Sequence, residues 1–173
     1  MTKRLALFTA LICAVILTTG ERVAAQVALN ETPSVISGGI GWYDIYLQDD
    51  QAVDFRIEYR HGDDFLFLKP WGGGEVTTDG SVWGGVGVLV DIIFFDDVVL
   101  TGSFAPGLWS EGSGKDLGHV VEFRSQVELG YQFENKSRLS LAFSHTSNAN
   151  LDDENPGTEV LSLYYHLPLD VLF

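Results

Sequence analysis

The chain runs to 173 residues with one cysteine, 12% aromatic side chains and a formal net charge of −14. An acidic excess on that scale excludes a nucleic-acid-binding protein, which needs a basic footprint. A lone cysteine excludes a disulfide scaffold.

At the N-terminus, Lys3 and Arg4 precede an apolar run over residues 5–17, and Val23, Ala24 and Ala25 stand before Gln26. This pattern predicts a secretory signal peptide over residues 1–25, too short in its apolar part to serve as a spanning helix. Residues 26–173 are then expected to form one exported domain. Cys13 falls inside the leader, and Leu11-Ile12 before it do not fit a lipoprotein signal. Without Lys3, Arg4, Arg22 and Glu21, the 10 basic and 24 acidic side chains become 7 and 23. The acid gathers at Asp49-Asp50, Asp63-Asp64, Asp96-Asp97 and Asp152-Asp153-Glu154. These read as solvated turns, without a loop-ligand pattern for calcium.

Alternation between turn signals predicts eight strands, over residues 36–47, 53–61, 65–76, 81–93, 98–109, 117–133, 138–148 and 158–167. In the second, Val53, Phe55, Ile57 and Tyr59 alternate with Asp54, Arg56, Glu58 and Arg60. In the sixth, Val121, Phe123, Val127, Leu129 and Tyr131 alternate with Glu122, Arg124, Gln126, Glu128 and Gln132. The fourth is apolar on both faces. Grease on one face and charge on the other fits an all-β fold, an eight-stranded antiparallel transmembrane β-barrel of the outer-membrane type. A soluble antiparallel barrel or sandwich shows the same alternation. The leader and the even strand count favour the membrane, and with it the outer membrane of a bacterial cell.

With both termini periplasmic, the turns at 62–64, 95–97 and 134–137 face inward and the loops at 48–51, 110–116 and 150–157 face outward. Eight strands leave a lumen that side chains fill, so no pore is expected. Trp42, Trp71, Trp83 and Trp109 suit an interface belt or plain packing. Leu167, Leu169, Val171 and Phe173 alternate toward the end of the chain, but Pro168 cannot donate to a ladder, so regular pairing is expected to stop there.

The last two strands carry the chemistry. Leu139, Leu141, Phe143, His145 and Ser147 share one face, as do Glu159, Leu161, Leu163, Tyr165 and Leu167. Histidine, serine and glutamate thus continue two greasy faces, where unpaired polar groups are costly. His145 and Ser147 lie about 6.5–7 Å apart along the strand, within reach of an imidazole for a hydroxyl. A serine needs such a base to become a nucleophile, and a carboxylate fixes the tautomer of the imidazole. His61, His119 and His166 are scattered singly and read as turn, loop or interior residues; Tyr164 and His166 face the lumen.

The run His145-Thr146-Ser147-Asn148-Ala149, then Asn155-Pro156-Gly157 and Glu159, resembles the outer-membrane lipid A 3-O-deacylases (PagL-type acyloxyacyl hydrolases). The resemblance is confined to the C-terminal hairpin. It implies an eight-stranded barrel with a His-Ser-Glu triad on its outer wall that hydrolyses the ester-linked 3-hydroxyacyl chain at position 3 of lipid A. By that likeness Ser147 is the nucleophile, His145 the base and then acid, and Glu159 the orienting carboxylate. Asn155 is the oxyanion donor with amides near Gly157, and Asn148 braces the strand end. The implied partners are lipopolysaccharide and outer-membrane lipids, with no metal or other cofactor. A non-catalytic structural or adhesion barrel and a soluble periplasmic lipid-binding barrel are the alternatives. Oligomeric state, a homodimer included, and acyl-chain preference stay open.

Overall fold

The computed structural model describes residues 26–27 and 32–171; the expected leader and Phe173 lie outside them. It contains β1 (Gln26–Val27), β2 (Val35–Tyr43), β3 (Ala52–Arg60), β4 (Lys69–Thr77), β5 (Val82–Phe94), β6 (Val98–Ser110), β7 (Val121–Gln132), β8 (Arg138–Ser147) and β9 (Thr158–Pro168). Strands β2 to β9 pair antiparallel in sequence order, and β9 returns to β2 to close an eight-stranded barrel. The short β1 pairs with β5 where that strand outruns β4.

The side-chain alternation sets which face is which. On β3, Ile57 is 65% exposed while its neighbours Arg56 and Glu58 are 4% and 2% exposed. This arrangement inverts that of a soluble barrel, which would bury the isoleucine and solvate the ions. Large apolar groups are exposed around the wall, among them Ile40, Phe55, Val86, Phe104, Leu129, Leu141, Phe143 and Leu163. A band of this kind is stable against hydrocarbon, so the molecule is a transmembrane barrel of the outer-membrane type.

The lumen is filled. Arg124 donates to Glu75 at 3.0 Å and also bonds Glu58, with its guanidinium over the rings of Trp83 (4.3 Å) and Trp71 (4.8 Å). Arg60 bridges Glu58 (2.9 Å) and Glu128 (2.8 Å). Toward the periplasm, His166 takes Ser37 on Nδ1 at 2.7 Å and Glu128 on Nε2 at 2.9 Å, stacked on Tyr164. Toward the outside, Tyr43 stacks on Trp109, and Leu117 and Val160 complete an apolar plug.

Several expectations change. Of the four tryptophans only Trp42 faces outward; Trp71, Trp83 and Trp109 are buried inside. Inward glycines make the room for Trp83: a Cβ on Gly85 would stand 2.6 Å from its ring, so the indole occupies space the glycine leaves. The same packing explains the doubly apolar β5, whose valines face lipid. The first predicted strand ends four residues early, because Asp44 turns the chain with φ 54°, and the first outer loop (44–51) is longer than expected. The third begins late: Phe65 to Leu68 form a tight turn around left-handed Leu66 (φ 66°). The sixth begins at Val121, with Leu117 in a loop. Pairing does stop at Pro168, opposite Val35, before a 3-10 turn over Leu169–Val171.

Candidate functional site

The site lies at the outer end of β8 and β9. Their register matches greasy face to greasy face, Leu139 with Tyr165, Leu141 with Leu163 and Phe143 with Leu161. A slip of one residue would turn every one of these inward. The same register makes His145 and Glu159 direct cross-strand partners.

His145 Nδ1 stands 3.0 Å from Glu159 Oε1, with the two side chains 46% and 22% exposed on the lipid-facing wall. An ionised carboxylate can only accept, so Nδ1 is the donor and Nε2 carries the free lone pair. Gly157, at φ +65°, lies against that edge of the ring: a Cβ there would be 3.0 Å from Cε1 and 3.6 Å from Nε2. Only glycine combines this backbone with so close an approach.

Ser147 is half-buried, two residues beyond His145 on the same outward face, opposite Phe123 of β7. The structure thus brings His145 and Glu159 into contact and puts Ser147 next to them along the strand. Among the hydrogen bonds of the described residues, none involves the Ser147 hydroxyl, and none joins it to His145.

Asn148 turns inward as alternation requires and is fully buried. Its Nδ2 donates to Leu117 O at 3.0 Å and Glu154 O at 2.8 Å, and its Oδ1 accepts from Asn150 N at 2.9 Å. It therefore ties the loop over residues 111–120 to the loop over residues 148–157. Asn155 Oδ1 accepts from Asn148 N at 3.1 Å, and its Nδ2 donates one hydrogen to Asn150 Oδ1 at 3.3 Å, leaving a second N–H. Between them, Ala149 and Asn150 adopt left-handed backbone (φ 55° and 64°), a strained turn that begins two residues after the serine.

Two residues that sequence reasoning passed over are built into this end of the barrel. Lys115 Nζ lies 2.6 Å from Asp44 Oδ1, and both side chains are buried. Lys115 is the lone lysine or arginine in the outer loops, amid acid, and that was the available signal. Among the described residues no cluster of three or more His, Cys, Asp or Glu side chains could hold a metal.

The fold resembles solved barrels. It matches the crystal structure of the outer membrane enzyme PagL with a TM-score of 0.64 at 17% identity, covering 78% of this chain and 99% of that one. It matches a de novo designed transmembrane β-barrel with a TM-score of 0.53 at 9% identity, over 79% and 98% of the two chains. In sequence, it is 33% identical over 51 residues to the lipid A deacylase PagL of Bordetella bronchiseptica (strain ATCC BAA-588 / NCTC 13252 / RB50), 30% of this chain. That alignment spans 29% of the relative's length. A family model described as Lipid A 3-O-deacylase (PagL) matches residues 42–168, which include His145, Ser147 and Glu159. The chain belongs to the lipid A 3-O-deacylase (PagL) family.

Proposed function

We propose that this protein is a serine esterase that removes the ester-linked 3-hydroxyacyl chain from position 3 of lipid A, with residues 1–25 as a cleaved leader into the outer membrane. The observation that carries the reading is the His145–Glu159 hydrogen bond on the lipid-facing wall, with Ser147 next on the same face. A solvent-facing esterase would not display its base among Phe143, Leu141 and Leu163. A lipid ester in the adjacent leaflet reaches such a wall without leaving the hydrocarbon.

In this reading Ser147 Oγ attacks the ester carbonyl and its proton passes to His145 Nε2. Glu159 holds the ring tautomer and stabilises the imidazolium that forms. The tetrahedral oxyanion is met by the free N–H of Asn155 Nδ2 and by backbone amides near Gly157. Collapse expels the position-3 hydroxyl of the sugar, protonated by His145. Water, activated by the same nitrogen, then releases the 3-hydroxy fatty acid from Ser147. Hydrogen bonds between catalytic groups commonly tighten only around substrate, which accommodates a Ser147 hydroxyl with no bond to His145 here.

The test is to incubate the detergent-refolded protein with purified lipopolysaccharide and weigh the lipid A by mass spectrometry. Loss of one 3-hydroxyacyl chain is expected; unchanged lipid A would reject the function.

A further inference from the structure

The outer loops of this barrel carry acid at Asp49, Asp50, Asp79, Glu111, Asp116, Asp152, Asp153 and Glu154, against one lysine, Lys115, no arginine, and one histidine, His119. In so acidic a surface a lysine would gain by staying in solvent among its counter-charges. Lys115 is instead buried, with Nζ 2.6 Å from Asp44 Oδ1. Asp44 is itself fully buried, and its other oxygen accepts from the backbone N–H of Asp49 at 2.9 Å and Asp50 at 3.1 Å. One carboxylate therefore organises the first outer loop and joins it to the loop over residues 111–120.

Both joined loops touch the site. Ile45 N, one residue after Asp44, donates to the carbonyl oxygen of Glu159 at 3.0 Å. Leu117, two residues after Lys115, is fully buried in the plug, and its carbonyl accepts from Asn148, the residue after Ser147. Gly118, at φ +88°, packs so closely on Glu154 O that a Cβ would overlap it. The contacts run in a ring: Glu159 backbone, Ile45, Asp44, Lys115, Leu117, Asn148, Ser147.

We infer that the Lys115–Asp44 ion pair is a positioning clasp that fixes the Glu159 and Ser147 strand ends relative to each other. Neither residue touches the reacting atoms. The inference rests on the esterase reading for its effect on turnover. Its structural part stands on the hydrogen bonds alone. Catalysis is sensitive to small displacements of reacting groups, about 10²-fold for ~1 Å, so loosening the ring lowers turnover while the lipid-facing wall that binds acyl chain is left intact.

The test uses Lys115→Met and Asp44→Asn, with Lys115→Arg as the conservative variant, in the detergent-refolded full barrel. Folding is checked by heat-dependent gel mobility. The expected result for Lys115→Met is a fall in kcat of about tenfold with KM within about twofold, and recovery of most of the loss in Lys115→Arg. Hydrogen exchange at the Ile45 and Asn148 amides should quicken in Lys115→Met and Asp44→Asn. Folded Lys115→Met with wild-type kcat and wild-type exchange overturns the clasp, as does a change confined to KM. If wild type itself leaves lipid A untouched while exchange quickens in the variants, the esterase reading fails and the clasp survives as a tether between loops.

Discussion

Replacing Gly157 by alanine probes the imidazole without touching any residue of the proposed triad. The added Cβ would meet Cε1 of His145 at 3.0 Å and Thr146 O at 3.3 Å, closer than ordinary contact, so the ring or the loop must give by a few tenths of an ångström. The φ of +65° adds a left-handed penalty of about 1–2 kcal/mol for alanine. Scaling from about 10²-fold per ~1 Å of misplacement, kcat should fall roughly three- to tenfold. Gly80→Ala supplies the control: its φ is +81°, and a Cβ there meets nothing within 4 Å. It incurs the backbone penalty in another outer turn and should leave kcat unchanged. The assay is the initial rate of 3-hydroxy fatty acid release from lipopolysaccharide in detergent, normalised to folded barrel. Wild-type kcat in Gly157→Ala, or an equal loss in Gly80→Ala, would refute the claim that this glycine leaves room for the His145 ring.

Glu159→Gln keeps the size of the side chain but removes the charge opposite the imidazolium, so kcat should fall by about 10²–10⁴; a loss under twofold would remove Glu159 from the mechanism. Arg124→Met leaves Glu58 with Arg60 and Glu75 with Arg56 as their remaining cationic partners in the lumen. It should cost up to about 3 kcal/mol, at or below the low end of the range for a fully unpaired buried charge, read as a lower urea midpoint for unfolding in detergent; an unchanged midpoint would contradict the packed ionic lumen. Burial raises the affinity of Asp44 for a proton, but the Lys115 ammonium and the Asp50 and Asp49 amides outweigh it and hold its carboxyl below the usual carboxylate range. A carboxyl depressed in the folded state stabilises fully above its unfolded value of about 4 and loses that contribution as pH falls toward the lowered one. Proteolysis of the outer loops should therefore be constant from neutral pH to about 5 and quicken below about 4, a rise that Asp44→Asn should lack.

The features legible in the sequence were those set by period and by adjacency. Two-residue alternation on β3, β7, β8 and β9 gave the faces. The greasy faces of β8 and β9 put His145, Ser147 and Glu159 on one wall; the direct pairing of His145 with Glu159 is a matter of register, which alternation fixes only in steps of two. What escaped notice depends on contacts between distant segments or on turn geometry. Lys115 and Asp44 are 71 residues apart, and nothing local marks either as buried. The inward Trp83 depends on Gly85 and Gly107 on the wall beside it. Phe65-Leu66-Phe67 looks like a strand because its residues are apolar, yet Leu66 takes left-handed backbone and turns the chain.

The most direct test of the outer-wall centre is to label the refolded barrel with a fluorophosphonate and locate the adduct by tandem mass spectrometry. The tryptic peptide after Arg138 contains Ser140, Ser144, Ser147 and Ser162, of which all but Ser147 are buried and face the lumen. The account predicts a single adduct on Ser147, lost in His145→Ala. Absence of any adduct in active protein, or an adduct on another serine, would contradict it.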